Sequence, residues 1–212
     1  MVHAPERSPE RDAAIAAMLP HVPFDGWTVR ALRMGLTDIG VPIDEAELLF
    51  PGGAPDMIEA FCDWADRGME TEAATLDLAA RRVPERVRAV IALRLARNRP
   101  YKEAIRRAVA LLALPSHARL AAACTARTVD ATWHAAGDRS ADFSWYTKRA
   151  ILTAIYGATL LFWLRDGSED DAATLAFLDR RLSSVGRIGA LRRRAEQAFA
   201  RVRPAWTQGV RS

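Results

Sequence analysis

The chain has 212 residues, half of them apolar, which is enough for one large domain or a small head fused to a larger body with a sizeable core. Its two cysteines, Cys62 and Cys124, lack CxxC or Cys/His spacing, so free buried thiols in a reducing compartment are expected rather than a disulfide framework or a zinc site. The net charge of +4 is uneven: from Arg180 onward nine arginines face Glu196 alone, a balance of +8, which leaves the first 179 residues at −4 and suggests a basic tail that meets phosphate.

Alternation at period two never persists, so the expected fold is all-α, with about ten helices punctuated by Pro and Gly. Residues 6–19 place Ile15, Met18 and Leu19 on one face and stop at Pro20. After a turn, residues 27–39 carry Val29, Leu32, Leu36 and Ile39 at helical spacing, with Gly40 as the C-cap. A short helix over 44–50 completes a helix-turn-helix-like head, residues 1–54. The third helix of such a head should enter the major groove, yet it carries Asp44, Glu45 and Glu47 and no Lys or Arg. Phosphate contacts dominate affinity for DNA and come mainly from Lys and Arg, so no nucleic acid is expected as a partner.

The second unit, residues 55–184, is expected to be a helical bundle. A long helix is predicted from Pro55 to about Ala80, then helices over 84–97, 101–114 and 116–136, each with an apolar stripe. The central stretch runs from Asp138 to Arg165. Ser140 or Asp142 is the expected N-cap, Trp145 and Tyr146 stand beside Lys148 and Arg149, and residues 150–164 are largely apolar. A bilayer-spanning helix needs about 20 apolar residues, so this shorter run, broken by Thr153, Tyr156, Gly157 and Thr159, is read as buried in protein. Ile151, Ile155 and Phe162 share the face that should point into the bundle, away from Trp145 and Arg149, and are the candidates to line a lipid site. A helix over 170–184 follows.

Residues 185–212 form the third unit, a basic amphipathic helix. Ile188, Leu191, Phe199 and Trp206 recur at three- and four-residue spacing, while Arg192, Arg193 and Arg194 crowd the remaining arc. That pattern fits a helix lying on an anionic membrane surface. The plainer alternative is an apolar face packed on the bundle under solvated arginines.

No catalytic constellation is present. His3, His21, His117 and His134 are scattered, Asp130 and His134 share a face as a surface hydrogen-bonded pair would, and both a GxSxG elbow and a Walker loop are missing. No metal ligand set, no cofactor and no enzymatic activity are expected.

Residues 142–150, Asp-Phe-Ser-Trp-Tyr-Thr-Lys-Arg-Ala, followed by Leu152, Tyr156 and Thr159, resemble the central motif of the ubiquinone biosynthesis accessory proteins of the Coq-nine type. Leu49-Phe50-Pro51-Gly52-Gly53, Asp130 with Trp133, and Phe177-Leu178-Asp179-Arg180-Arg181-Leu182 match as well. The resemblance implies a TetR-like bundle that has lost DNA binding, a homodimer, a pocket for an isoprenoid lipid or quinone precursor, and a terminal helix at the membrane. It also implies a partner, the demethoxyubiquinone hydroxylase, engaged through Asp142, Trp145, Tyr146 and Arg149. Exposed Trp, Tyr and Arg one turn apart also suit an interface hot spot; the alternative is that the two aromatics cap the core. The family commonly has Trp where Leu175 stands. Without an Arg- and Ser-rich transit segment, a bacterial protein is expected, cytoplasmic and peripheral to the inner membrane. The competing class is a TetR-like repressor responding to a small hydrophobic ligand.

Overall fold

The structure, a computed structural model, describes residues 5–138 and 144–184, and the side chains of Ser144 and Trp145 are outside that description. Among the described residues there are helices and turns and no strand. In the head, α1 spans Pro9–Met18, α2 Val22–Asp25, α3 Val29–Asp38 and α4 Ala46–Leu49. Ser8 caps α1 by accepting the Arg11 amide at 3.1 Å, and Thr28 caps α3 by accepting the Ala31 amide at 3.2 Å. Gly40 follows α3 with φ +70, the left-handed conformation expected of a C-terminal glycine. At Gly35 a Cβ would come within 2.6 Å of the Met18 amide nitrogen, so α1 and α3 cross at backbone contact.

In the body, α5 spans Ala54–Ala73, α6 Val83–Asn98, α7 Lys102–Leu112, α8 Ala118–Ala135 and α9 Ser144–Trp163; α10 covers residues 172–184. Three expectations shift. The stretch between the first two helices folds into the single turn of α2. The helix expected over 44–50 divides into a 3₁₀ turn, Ile43–Glu45, and α4. The helix predicted to reach Ala80 stops at Ala73, where the Thr75 hydroxyl turns back to the Glu72 carbonyl at 2.8 Å and buried Leu78 pins the following loop. The expected N-cap of α9, Ser140 or Asp142, lies outside the described residues.

One apolar core runs through head and body. Ile15, Met18, Leu32 and Leu36 join Met57, Ile58 and Phe61 of α5, and the Trp27 indole N–H donates to the Ala104 carbonyl of α7 at 2.9 Å. Phe61 lies 5.5 Å from the Trp27 ring and carries the aromatic contact onward to Trp64 and Tyr101. The division near residue 54 is therefore one of topology, with a shared interior.

The corner between α9 and α10 is clamped from α7. Lys102 donates to the Asp166 carbonyl and Arg106 to the Leu164 carbonyl, each at 2.5 Å, which satisfies C=O groups that the end of α9 leaves open. Asp170 and Asp171 sit at φ 51 and 58, and buried Asp171 accepts from Arg99 at 3.0 Å. The Asp166 carboxylate takes the Ser168 and Thr174 amides, both at 2.8 Å; burial opposes its charge, but these bonds hold its pKa well below the usual carboxylate range.

Candidate functional site: an apolar cavity beside the central helix

The two halves of α9 face different surroundings. In its first turns Tyr146 is 70% exposed. Lys148 pairs with Asp138 at 3.0 Å and lies 5.8 Å above the Trp133 ring, while the Arg149 Nε donates to Asp130 at 2.8 Å. The predicted docking residues Tyr146 and Arg149 therefore stand together at the α8–α9 seam, with Arg149 engaged in an ion pair. Asp142 lies outside the described residues, as does the Trp145 side chain. The surface pair expected between Asp130 and His134 is replaced: Asp130 turns to Arg149, and His134 Nδ1 meets Glu70 at 3.0 Å.

The last turns of α9 close a cavity of about 300 Å³ against α5, α6, α7 and α8. Its wall is mostly apolar, with Phe61, Leu95, Ile105, Leu112, Leu160 and Trp163 among the lining residues. Gly157 lines it as well, and a Cβ built there would meet nothing within 4 Å, so the wall opens at that residue.

Polar groups converge on one side. Arg94 of α6 and Asp66 of α5, both buried, form an ion pair at 2.5 Å. Tyr156 accepts the Arg94 Nε–H at 3.0 Å, and the Thr128 hydroxyl donates to Asp66 at 3.0 Å. Burial raises the Asp66 pKa to about 6, against the pull of Arg94. Burial also works against the Arg94 charge, but Asp66 and Tyr156 outweigh it and the guanidinium stays protonated. Three residues earlier, Asp63 behaves oppositely: burial is overcome by hydrogen bonds from Arg7 and Arg67, and its pKa falls. Asn98, 7% exposed, lines the same cavity, and the Trp163 indole N–H is a buried donor with no partner among the described residues.

The predicted lipid face is divided. Ile151 and Ile155 line a smaller cleft of about 190 Å³ with Val83, Val87 and Leu182, and Phe162 stacks on Phe177 at 4.6 Å beside a third cleft. The cavity of about 300 Å³ is lined instead by Tyr156, Gly157, Leu160, Leu161 and Trp163. An α9 that is apolar on most sides offers no sequence signal for which face borders empty space. Sequence reasoning also missed Asp66 and Arg94, although a signal existed: each interrupts the apolar stripe of its own helix, Asp66 between Cys62 and Met69 and Arg94 beside Ile91 and Leu95.

Among the described residues no cluster of His, Cys, Asp and Glu is suited to hold a metal ion. No single helix there is long and apolar enough to cross a membrane. In the head, Arg33 pairs with Glu47 of α4 at 2.6 Å and Arg30 with Asp25 at 3.0 Å, so the arginines nearest the third helix are engaged by carboxylates. The predicted membrane residues Ile188, Leu191, Arg192, Arg193, Arg194, Phe199 and Trp206 lie outside the described residues.

With this geometry in place, similarity to known proteins is specific. The COQ9 family profile matches residues 118–189. The mitochondrial ubiquinone biosynthesis protein COQ9 of Homo sapiens is 32% identical over 182 residues, covering 82% of this chain and 57% of the human protein. The Drosophila melanogaster protein of the same name is 33% identical, with 82% and 55% covered. The Schizosaccharomyces pombe coq9 protein is 33% identical over 177 residues, with 82% and 69% covered. The chain thus spans little more than half the length of the human and fly proteins. Among solved structures, a TetR transcriptional regulator from Nitrosomonas europaea superposes with a TM-score of 0.67 at 25% identity, over 84% of this chain and 98% of that one.

Proposed function

The chain belongs to the COQ9 family, and from that premise we propose that it serves ubiquinone biosynthesis as a non-catalytic carrier, holding an isoprenoid quinone intermediate and presenting it to the demethoxyubiquinone hydroxylase. The observation that carries this reading is the apolar cavity left open at Gly157. At about 300 Å³ it lies at the low end of ligand pockets, which run from about 300 to 1,000 Å³. It suits a ring and the first isoprene carbons. Leu161, 56% exposed, borders both this cavity and the cleft beside Phe162 and Phe177, which gives the rest of a tail an apolar route between α9 and α10. Phe162 then contributes to lipid binding through the tail, while Ile151 and Ile155 would serve a separate contact.

Docking to the hydroxylase is assigned to Asp142, Trp145, Tyr146 and Arg149, attachment to anionic membrane to residues 185–212, and the working unit is a homodimer. The repressor alternative finds no support in the head, whose acidic third helix and engaged arginines leave little positive charge to meet phosphate. The test is Gly157→Phe. The new ring projects into empty space, so the variant should keep its helical signal and melt near the wild type while losing the isoprenoid lipid that co-purifies with the wild type, as read by native mass spectrometry with extraction. A wild type carrying no isoprenoid, or a variant retaining it in full, would refute the carrier reading.

A further inference from the structure

The cavity wall contains the only two thiols of the chain, and neither the fold nor the carrier role uses them. Cys62 comes from α5 and Cys124 from α8, helices packed along their lengths, and both side chains border the same empty space. Each thiol is the largest influence on the acidity of the other, raising the pKa of Cys62 and lowering that of Cys124. The Arg127 Nη2 lies 3.4 Å from the Cys124 sulfur and is also anchored by Glu59 at 2.6 Å. The pair is thus unequal. The neighbouring Cys62 and the Arg127 charge favour the Cys124 thiolate over the opposing effect of burial, while Cys124 and burial keep Cys62 protonated.

We infer that Cys62 and Cys124 form a redox-active dithiol that exchanges two electrons with a quinone ring held in the cavity, the ring leaving as hydroquinone and the thiols as a disulfide between α5 and α8. The inference rests on the carrier reading, because the oxidant is the quinone assigned there. The Cys124 thiolate adds to a ring carbon and forms a C–S bond. Cys62 then attacks the Cys124 sulfur, so that the S–S bond forms as the C–S bond breaks and its electron pair stays on the ring. The two thiol protons complete the hydroquinone, so that two thiols and one quinone give one disulfide and one hydroquinone. Thiolate attack with a neighbouring thiol to resolve the intermediate follows the ordinary course of dithiol chemistry.

The experiment uses the full chain, reduced and stripped of lipid under anaerobic conditions, with a short-tailed dimethoxy-methyl-benzoquinone as probe. Binding of the probe is followed by quenching of tryptophan fluorescence, and chemistry by intact mass and by the hydroquinone absorbance. The expected result is loss of two hydrogens per chain with one hydroquinone released, blocked in Cys124→Ser and replaced by a covalent ring adduct in Cys62→Ser. Gly157→Phe should lose the reaction with quinone yet still form the disulfide with diamide. If quinone binds the wild type but both thiols stay titratable, or if only a permanent adduct forms, the dithiol assignment is overturned while the carrier reading stands. If quinone does not bind, the carrier reading fails first and takes the inference with it.

Discussion

The two halves of α9 share a helix but differ in what holds them. The first half is tied to α8 from outside, by the Arg149–Asp130 pair and by Lys148 above Trp133, with Tyr146 left facing solvent. The second half is held from within, by Tyr156 on Arg94, by fully buried Trp163 and by a wall that is part empty space. Charge partly exposed to water contributes little to stability, whereas a buried pair contributes much once one partner is lost. Stability should therefore be concentrated at the inner half, and recognition at the outer one.

The largest effect is expected from Arg94→Met, which strands Asp66 in the interior and should cost about 3–5 kcal/mol in denaturant melts. Asp66→Leu in the same background should restore much of the loss, and a double variant as weak as the single one would place the cost in packing instead. The same region carries a pH signature. The folded-state value of about 6 for Asp66 lies above the ordinary 3.8, so folding favours its protonated form. Its contribution to stability grows as pH falls through about 6 towards 4 and is withdrawn as pH rises again. Asp63, with a lowered pKa, works in the opposite sense, contributing above its unfolded value and losing that contribution as pH falls through its lowered value. Comparing melts of Asp66→Asn with the wild type across this range isolates the Asp66 slope, and parallel curves would contradict it.

A smaller effect on stability, about 1 kcal/mol or less, is expected from Arg149→Glu, because the pair with Asp130 is partly open to water. Adding Asp130→Arg rebuilds the ion pair with its charges exchanged and should return the melting temperature. If the seam serves docking, the exchanged pair should still raise the ratio of demethoxyubiquinone to ubiquinone in cells; a normal ratio would mean that the pair only fastens α9 to α8. The smallest effect on stability, within about 0.5 kcal/mol, belongs to Tyr146→Ala. It should nevertheless shift that ratio, and normal ubiquinone in this variant would remove Tyr146 from the docking surface.

Much of this contrast was legible in the sequence, because the change from Trp, Tyr, Lys and Arg to an apolar run within one helix marks where solvent gives way to interior. Gly40 and Pro55 were likewise readable from local chemistry. The face of α9 that borders the cavity was not, since Ile151, Ile155, Tyr156 and Leu160 are equally plausible core residues and only the placement of α6 and α7 distinguishes them. The corner at Asp170 and Asp171 was also hidden: two non-glycine residues adopt positive φ there because Arg99 and Lys102, about 70 positions earlier, hold their carboxylates.

That corner also decides where the cavity can breathe. Lys102 and Arg106 grip the end of α9 by its carbonyls, and Arg99 fastens the loop beyond, so this end of the barrel of helices behaves as a hinge pin and not as a door. The opposite lip of the cavity is the turn from α7 to α8, where Leu112 and Ala113 lead into exposed Leu114 and a single 3₁₀ turn, Pro115–His117, before Ala121. Among the described residues it has no comparable clasp of cations on carbonyls. With the tail laid past Leu161 along that fixed edge, any widening of the cavity to take a bulkier ring would come at this hem, with α7 swinging about its fastened N-terminal end, so the size of ring admitted would be governed by a turn that the sequence marks with nothing more conspicuous than Leu-Pro-Ser.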